Sequence, residues 1–209
     1  MKKFLLTLPL FVASLALAAD SMTKYEAKPG SKVTLEGDSS MHAWRVDSTI
    51  IGGSMELGFD PANPKAGKVP AQVTATIPVR SLKSYSKIDP KRMEEVMQET
   101  MKSKTAPRIE YRLTELVLKE APKTATDPLQ FDSKGELSMA GVTNKISMPI
   151  TMERLEGNQL KTKGAISLKM TSFGMKPPVL LGLVTTDDNV KVSFEWLTQK
   201  AGATTAAAK

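Results

Sequence analysis

Apolar and polar residues alternate along several stretches of this chain with the period of two that is typical of β-strands with one buried face. Val73, Ala75 and Ile77, for example, alternate with the polar residues Thr74 and Thr76. Together with more continuous apolar segments, this pattern predicts at least eight strands. They lie within residues 33–35, 44–59, 72–79, 109–114, 129–139, 146–152, 166–170 and 190–196. We therefore predict an all-β chain.

Turn-forming residues separate the predicted strands. Gly52-Gly53 interrupts the segment 44–59 and predicts a bulge or a bend, and residues 60–64 end that segment with two prolines. Glu156-Gly157-Asn158 predicts a tight hairpin. Because connections this short cannot form the crossovers that parallel strands need, the predicted sheet is antiparallel.

One segment breaks this pattern and has helical periodicity. Asp89 is a predicted N-cap, Pro90 occupies the first helical position, and Lys102 lies in the last turn. The apolar stripe of this helix consists of Met93, Val96, Met97 and Met101. Because methionine side chains are flexible, the stripe suits either a gap in the core or a contact with a flexible apolar ligand.

The N-terminal residues have the pattern of a cleavable secretory signal. Lys2 and Lys3 precede an apolar stretch over residues 4–17. The small residues Ala16 and Ala18 then predict cleavage after Ala18. The apolar stretch is shorter than the roughly 20 residues of a membrane-spanning helix, which makes a retained anchor the weaker interpretation.

The rest of the composition indicates a free, exported protein. No later segment is apolar enough to span a bilayer, so we expect the mature protein to be soluble. The chain contains no cysteine. This excludes a lipid anchor on an N-terminal cysteine, disulfide bonds and thiol chemistry. We therefore expect the mature protein to be free in the periplasm.

The charge excess is mild. The net charge is +7, and removal of Lys2 and Lys3 with the signal leaves 27 basic and 22 acidic residues, a net charge of +5. The lysines are scattered and are not interleaved with aromatic residues, so nucleic-acid binding has little support. Either a transient contact with anionic membrane surfaces or a solvated lysine-rich exterior accounts for the excess. The sequence also allows the protein to form a homodimer.

Residues with catalytic or metal-binding chemistry are few. His42 is the only histidine, and although Ser40 could share a strand face with it, the sequence has no G-x-S-x-G elbow. One histidine without cysteine is too few ligands for zinc or copper. Asp187-Asp188 suits a calcium ligand pair or a solvated turn, and a turn is the more frequent use. We expect no enzyme activity, no metal site and no cofactor.

The interior of the sheet is the predicted functional site. A closed antiparallel sheet of about eight strands encloses a space that side chains fill or that holds one small ligand. Since the residues predicted to face inward are mostly aliphatic, methionine or aromatic, a ligand there would be long or bulky and apolar. The predicted ligand-binding residues are Trp44, Phe59, Ile77, Met93, Met97, Met101, Tyr111, Phe131, Ile146, Met148, Ile166, Leu168 and Phe194. We expect the helix methionines near one end. The same residues also suit a filled interior without a cavity.

The order of these features resembles the YceI-like family of exported, lipocalin-like polyisoprenoid-binding proteins. The segment Gly135-Glu136-Leu137-Ser138-Met139-Ala140-Gly141-Val142-Thr143 is similar to the G-x-L-x-x-x-G-V-T strand pair of that family. The other matching segments are residues 35–37, 42–44, 59–61, 79–82, 106–111, 171–175 and 188–194. No single segment is specific, but their collinear order covers about residues 23–197.

The resemblance implies an eight-stranded antiparallel, lipocalin-like barrel with one inserted α-helix. Many family members carry an R-D-x-H-L-type run after the segment that matches residues 79–82, whereas this chain has the predicted helix there. We expect either a carrier or sequestering protein for a polyisoprenoid, quinone or fatty-acid-like lipid, or an envelope interaction or stress protein with a filled barrel. The predicted domains are a signal peptide at residues 1–18, a YceI-like β-barrel domain at 19–200 and a disordered tail at 201–209.

Overall fold

The computed structural model describes residues 22–86, 89–180 and 182–202. Within these residues the chain forms thirteen strands and one α-helix, α1 (Pro90–Thr100). The strands are β1 (Thr23–Ala27), β2 (Lys32–Ser39), β3 (Trp44–Ser48), β4 (Gly52–Leu57), β5 (Gly67–Lys68), β6 (Ala71–Pro78), β7 (Lys83–Ser84), β8 (Arg108–Leu118), β9 (Leu129–Met139), β10 (Val142–Leu155), β11 (Gln159–Lys169), β12 (Val179–Leu180) and β13 (Val184–Lys200). The predicted signal peptide and residues 203–209 of the predicted tail lie outside the described residues.

Eight of the strands form a closed antiparallel barrel, and this confirms the predicted fold. Their order around the ring is β1, β4, β6, β8, β9, β10, β11 and β13, and β1 pairs with β13 to close it. In the closing ladder Tyr25 lies opposite Lys200 and Ala27 opposite Thr198. The alternation does not predict β1, because Tyr25 is the one buried residue among its five.

The first four strands form two pairs, and of these only β1 and β4 belong to the ring. β1 and β2 follow one another along the same edge of β13, β4 and β3 follow along β1 and β2, and β7 extends the sheet beyond β3. The segment predicted over residues 44–59 does contain a bend, but the bend lies at residues 49–51, between β3 and β4, and not at Gly52-Gly53. Gly53 is needed just after this bend. Its φ is +117°, and a Cβ there would lie 2.0 Å from the Thr74 carbonyl oxygen.

The helix α1 covers an interruption in the barrel wall. β6 and β8 pair only as far as Pro78 and Arg108. Beyond this point the chain leaves the wall, forms β7 beside β3, and then forms α1 before it returns as β8. Glu94 of α1 holds the helix to β7 through Lys83 Nζ at 2.9 Å. At this end of the barrel, a helix and not paired strands therefore completes the wall.

The helix begins where the sequence predicts. Pro90 is its first residue, and the Asp89 side chain accepts a hydrogen bond from the Arg92 N–H at 3.0 Å. It ends at Thr100, slightly before the predicted last turn. Of the predicted apolar stripe, Val96 and Met101 are buried, and the other two methionines are half-buried.

Side chains fill the barrel end opposite α1, and we call this packed layer the floor. The floor consists of the buried residues Tyr25, Leu57, Leu118, Leu129, Phe131 and Leu160. The Phe59 ring packs on Phe131, with the ring centroids 6.0 Å apart. A bulge after Leu113 shifts the alternation of β8, so that the inward positions continue at Leu116 and Leu118. The barrel is therefore closed at this end.

Asp47 is a buried anion on the outer face of β3. Its side chain is 4% exposed and lies 2.9 Å from both Lys32 Nζ and Arg45 Nη2. The pair with Lys32 connects β3 to β2, whereas Arg45 lies on β3 itself. Burial by itself raises the pKa of Asp47, but the hydrogen bonds from Arg45 and Lys32 outweigh burial and lower the pKa to about 2.

We expect Asp47→Asn to lower the free energy of unfolding by about 1–2 kcal/mol near neutral pH. The folded-state pKa of about 2 lies below the ordinary value of 3.8. The carboxylate therefore stabilises the fold above the ordinary pKa, and this contribution disappears as the pH falls through the folded-state pKa. Urea denaturation should show the difference between wild type and variant shrinking from about pH 5 to about pH 2.

Glu26→Gln is the control for this experiment. It alters an ion pair with Lys24 in which both side chains are about half exposed. Such pairs contribute little to stability. An Asp47→Asn effect that stays the same across the pH range would contradict the role given to the Asp47 charge.

Candidate functional site

The barrel encloses a cavity with two adjoining compartments. The inner compartment lies above the floor and has a cavity volume of about 130 Å³. The helix-side compartment lies between α1 and the barrel wall and has a cavity volume of about 100 Å³. Four side chains border both compartments, so the two adjoin directly. These are Leu35, Met139, Leu168 and Val192.

The wall of the inner compartment is apolar. On β10 the inward residues follow the predicted alternation, and they are Ile146, Met148, Ile150 and Met152. No charged side chain of the described chain borders this compartment. Tyr111, Ser133, Thr162 and Trp196 also border it, but only their apolar atoms face the free space. A wall of this kind binds chiefly by removing hydrocarbon from water.

Methionines dominate the helix-side compartment. Six of them line it, and they are Met93, Met97, Met101, Met139, Met170 and Met175. Half-buried Trp44 and Pro178 and exposed Lys169 also border this compartment, so it reaches the protein surface. We call the opening bordered by these three residues the mouth. Because methionine side chains adapt their shape, the helix-side compartment suits a flexible apolar ligand.

Hydrogen bonds to Asp188 of β13 hold the segment that begins at Met170 and leads to Met175. Residues Met170–Phe173 form a 3-10 turn. Asp188 accepts hydrogen bonds from the Thr171 hydroxyl at 2.6 Å and the Thr171 N–H at 2.8 Å, and these lower the pKa of Asp188. The calcium and solvated-turn interpretations of Asp187-Asp188 are both corrected. The pair lies within β13, and Asp188 positions the turn beside the mouth.

Three aromatic rings in the cavity lie flat on the wall over glycines. The pairs are Tyr111 over Gly135, Phe194 over Gly164 and Trp44 over Gly37. An ideal Cβ at each glycine would lie between 2.3 and 2.7 Å from the nearest ring atom. Each ring therefore occupies the space that a side chain on the neighbouring strand would take. The rings cover the wall and leave the middle of the barrel free.

Eleven of the thirteen predicted ligand-binding residues line the cavity. The inner compartment has Ile77, Tyr111, Ile146, Met148, Ile166 and Phe194, the helix-side compartment has Trp44, Met93, Met97 and Met101, and Leu168 borders both. Phe59 and Phe131 do not line it, because their rings pack against each other at the floor. These two assignments are corrected. Ligand contact by the other eleven residues stays a prediction.

Several lining residues escape the sequence reasoning. Met175 follows a turn, where alternation does not specify a face. Thr162 is polar, and its residue type favours an outward position. Met139, Met170 and Trp196 are the exceptions, since the alternation of residues 129–139, 166–170 and 190–196 contains the signal that places them inside.

Ser40 and His42 are not coupled to each other. His42 is exposed in the β2–β3 connection, and its Nδ1 lies 2.9 Å from the Ala43 carbonyl oxygen. The Ser40 hydroxyl accepts a hydrogen bond from the Thr185 N–H at 3.1 Å. In the part of the chain that the structure describes, no group of three or more acidic or histidine side chains could hold a metal ion.

Comparison with known proteins finds one sequence family and several similar folds. A family model described as YceI-like domain matches residues 25–196. BcnA of Burkholderia cenocepacia is 19% identical with a TM-score of 0.58, and the match covers 80% of this chain and 95% of that chain. A polyisoprenoid binding domain from Saccharophagus degradans, implicated in plant cell wall breakdown, is 11% identical with a TM-score of 0.59, covering 86% of this chain and 99% of that chain.

A third similar structure is the YCEI protein of Campylobacter jejuni. It is 14% identical with a TM-score of 0.54, and the match covers 74% of this chain and 84% of that chain. At these identities the likeness concerns the fold alone. No curated protein sequence matches the chain. Among the described residues, no helix has the length and apolar character needed to cross a membrane.

We expect Gly135→Ala to reduce the free space of the inner compartment. The new Cβ would displace the Tyr111 ring from the wall into the cavity, since that ring fills the Cβ position. Uptake of the neutral fluorescent probe phenylnaphthylamine should fall several-fold, with a loss of about 1–3 kcal/mol in stability from overpacking.

Gly52→Ala is the matched control, because a Cβ there would meet nothing closer than 3.7 Å. It should change probe uptake little. If Gly135→Ala takes up the probe as well as the wild type does, the ring does not control the size of the cavity.

Proposed function

The chain belongs to the YceI-like domain family, and on that premise we propose that it is an exported container that binds a long apolar ligand inside its barrel. The proposed ligand is a polyisoprenoid, a quinone or a fatty-acid-like lipid, held for carriage or sequestration. One observation carries this proposal. Two adjoining compartments run from the mouth to the floor, and the inner one has an apolar wall.

The shape of the cavity supports a chain lipid. On β11, Thr162 borders the inner compartment and Lys169 borders the helix-side compartment, seven positions further along the chain. In an extended strand this separation corresponds to about 23 Å, at roughly 3.3 Å per residue. A narrow cavity of this length suits an extended chain better than a compact ligand.

Burial of hydrocarbon supplies the binding free energy in this proposal. Each Å² of apolar surface removed from water contributes about 25 cal/mol. Ordering of the flexible chain offsets part of that gain. Because no directional contact to the tail is needed, we expect chains of similar width and length to compete for the cavity.

The alternative function is an envelope interaction or stress protein with a filled barrel. It would require side chains that pack across the whole interior, as they do at the floor. The space between the aromatic rings, which lie on glycines at the wall, favours the container.

The proposed location is the periplasm. The support for it is the signal pattern of residues 1–18, combined with a sequence that has no cysteine for a lipid anchor. We propose that the protein has no enzyme activity. That it forms a homodimer stays a prediction.

We further propose that the mouth makes transient contact with anionic membrane surfaces when the ligand is exchanged. Three exposed apolar side chains lie close in sequence to Trp44 and Pro178 of the mouth. Met41 lies in the β2–β3 connection, Val179 is the first residue of β12, and Leu183 lies in the connection from β12 to β13. A hydrogen bond from the Ser40 N–H to the Thr185 carbonyl oxygen, at 2.9 Å, joins these two loops.

Charge near the mouth supports the same proposal. Exposed Lys169 borders the mouth, and exposed Lys176 is adjacent in sequence to Met175, which lines the helix-side compartment. Cations beside an apolar tip are complementary to an anionic bilayer, in which the tip enters the apolar layer and the lysines meet the lipid phosphates.

We expect wild-type protein purified from its native envelope to carry a lipid in stoichiometric amount, and Leu168→Trp to lose most of it. Leu168 borders both compartments, so a larger side chain there narrows their junction. Mass spectrometry of the organic extract measures the content. Ser167→Trp is the control, since Ser167 is exposed on the other face of the same strand. A wild-type protein that repeatedly yields no lipid rules out the container.

For the membrane contact, we expect Leu183→Ser to slow the transfer of a fluorescent polyene fatty acid from phosphatidylglycerol vesicles by several-fold, because it removes apolar surface at the mouth. The equilibrium affinity should stay the same, since Leu183 lies outside the cavity lining. Ile50→Ser is the control, as Ile50 is 52% exposed but lies in the β3–β4 connection. Equal slowing by both variants contradicts a specific contact at the mouth.

A further inference from the structure

Methionine is concentrated at the helix end of this barrel. The chain has twelve methionines, and six of them line the helix-side compartment. Three of these six, Met93, Met97 and Met101, come from α1 and the residue that follows it. Because the chain has no cysteine, methionine is also the only residue type that carries sulfur. The oxidation chemistry of sulfur is therefore concentrated where α1 meets the barrel wall.

The six methionines differ in how accessible they are to a small molecule. Met93 and Met97 are half-buried, whereas the other four are buried. The compartment that Met93 and Met97 border reaches the protein surface at the mouth. A peroxide such as hydrogen peroxide is small and uncharged, so it reaches these two side chains either from bulk water or through the apolar compartment. Met93 and Met97 are therefore the lining methionines that are most open to oxidation.

The same two side chains hold α1 against the barrel. Together with Val96 and Met101 they form the apolar face of the helix that borders the compartment. A polar link is made by Glu94, which accepts hydrogen bonds from Lys83 Nζ at 2.9 Å and from the Ser84 N–H at 3.2 Å. Because the Lys83 side chain is 62% exposed, its ion pair contributes little. The attachment of α1 therefore depends mainly on the burial of its apolar face.

Oxidation makes this apolar face polar. Hydrogen peroxide transfers one oxygen atom to the thioether sulfur, so that its O–O bond breaks, an S–O bond forms and water leaves. The sulfur is oxidised by two electrons, and the peroxide is reduced by the same number. The sulfoxide oxygen is a strong hydrogen-bond acceptor. Burial of such a group against an apolar wall is unfavourable, because it loses its hydrogen bonds to water.

The helix has little stability of its own once it leaves the wall. It is eleven residues long, and helices shorter than about 12 residues are marginal in water without tertiary packing. Behind it the wall is interrupted, because β6 and β8 pair only as far as Pro78 and Arg108. A helix that no longer packs against the barrel therefore both unfolds and uncovers the helix-side compartment.

We propose that Met93 and Met97 are oxidation sites for a small uncharged peroxide, and that their sulfoxides release α1 from the barrel wall. A reductase that uses a dithiol reverses the change, since it removes the sulfoxide oxygen as water and forms a disulfide in the reductant. The release of α1 is a property of the protein alone. The loss of a bound apolar ligand that follows from it rests on the proposed container function.

The test treats the full-length protein with hydrogen peroxide and measures two quantities. Peptide mass spectrometry locates the added oxygen atoms, and backbone hydrogen exchange reports the opening of each element. We expect Met93 and Met97 to be oxidised and the exchange of α1 to become several-fold faster. The exchange of β11, a strand without methionine, should stay the same and shows that the barrel remains folded. Treatment with a methionine sulfoxide reductase should restore slow exchange in α1.

Three variants assign the effect to these residues. The double variant Met93→Leu with Met97→Leu keeps an apolar face of similar volume that takes up no oxygen, so peroxide should no longer change the exchange of α1. Met41→Leu is the matched control, because Met41 is 65% exposed but lies outside the cavity lining, and it should respond as the wild type does. Met93→Gln with Met97→Gln places polar groups on the same face and should speed the exchange of α1 without peroxide.

The possible failures are distinguishable. The inference is overturned if Met93 and Met97 stay intact when Met41 is fully oxidised, or if their oxidation leaves the exchange of α1 unchanged. It is also overturned if the double leucine variant responds to peroxide as the wild type does. The container function is tested separately, because oxidised wild-type protein should lose most of its bound phenylnaphthylamine. If the untreated protein takes up no probe, the container function fails, whereas hydrogen exchange still decides whether oxidation releases α1.

Discussion

The free space inside this barrel depends on one kind of contact, an aromatic ring packed over a glycine of the neighbouring strand. An eight-stranded barrel is only wide enough for its inward side chains to fill it or to surround one small ligand. Trp44, Tyr111 and Phe194 are the large residues that could fill it. Each instead lies flat on the wall, in the place where a glycine leaves room. Space is therefore preserved by the residues beneath the rings as much as by the rings themselves.

The character of the interior changes from one end of the barrel to the other. At the floor, buried residues such as Leu57 and Phe131 pack together as in an ordinary core. Above them lies an apolar wall, and above that the helix-side compartment, which is lined with methionines. A ligand with a long, flexible hydrocarbon chain is complementary to this order.

The interruption of the wall between β6 and β8 explains why the mouth lies at the helix end. Paired strands leave no gap for a ligand to pass, because their backbone hydrogen bonds are continuous. Where β7 pairs with β3 and not with β8, side chains of α1 complete the wall. Contacts between side chains are easier to separate than a ladder of backbone hydrogen bonds. The helix, where this chain departs from the run that many YceI-like proteins carry, is thus also the element that covers the helix-side compartment.

The sequence by itself determined the longer strands, the helix and the inward face of most of those strands, because all of these follow from local periodicity. Ile146 and Met148 line the cavity as their alternation predicts, and Asp89 caps the helix. Depth along the barrel was decided only by the tertiary structure. Phe131 faces inward like its neighbours, yet the register of β9 against β8 and β10 places it in the floor. The packing of Phe59 on Phe131 could not be foreseen either. Which side chains meet at one end of the barrel depends on strands that are distant in the chain, and periodicity within one strand contains no information about them.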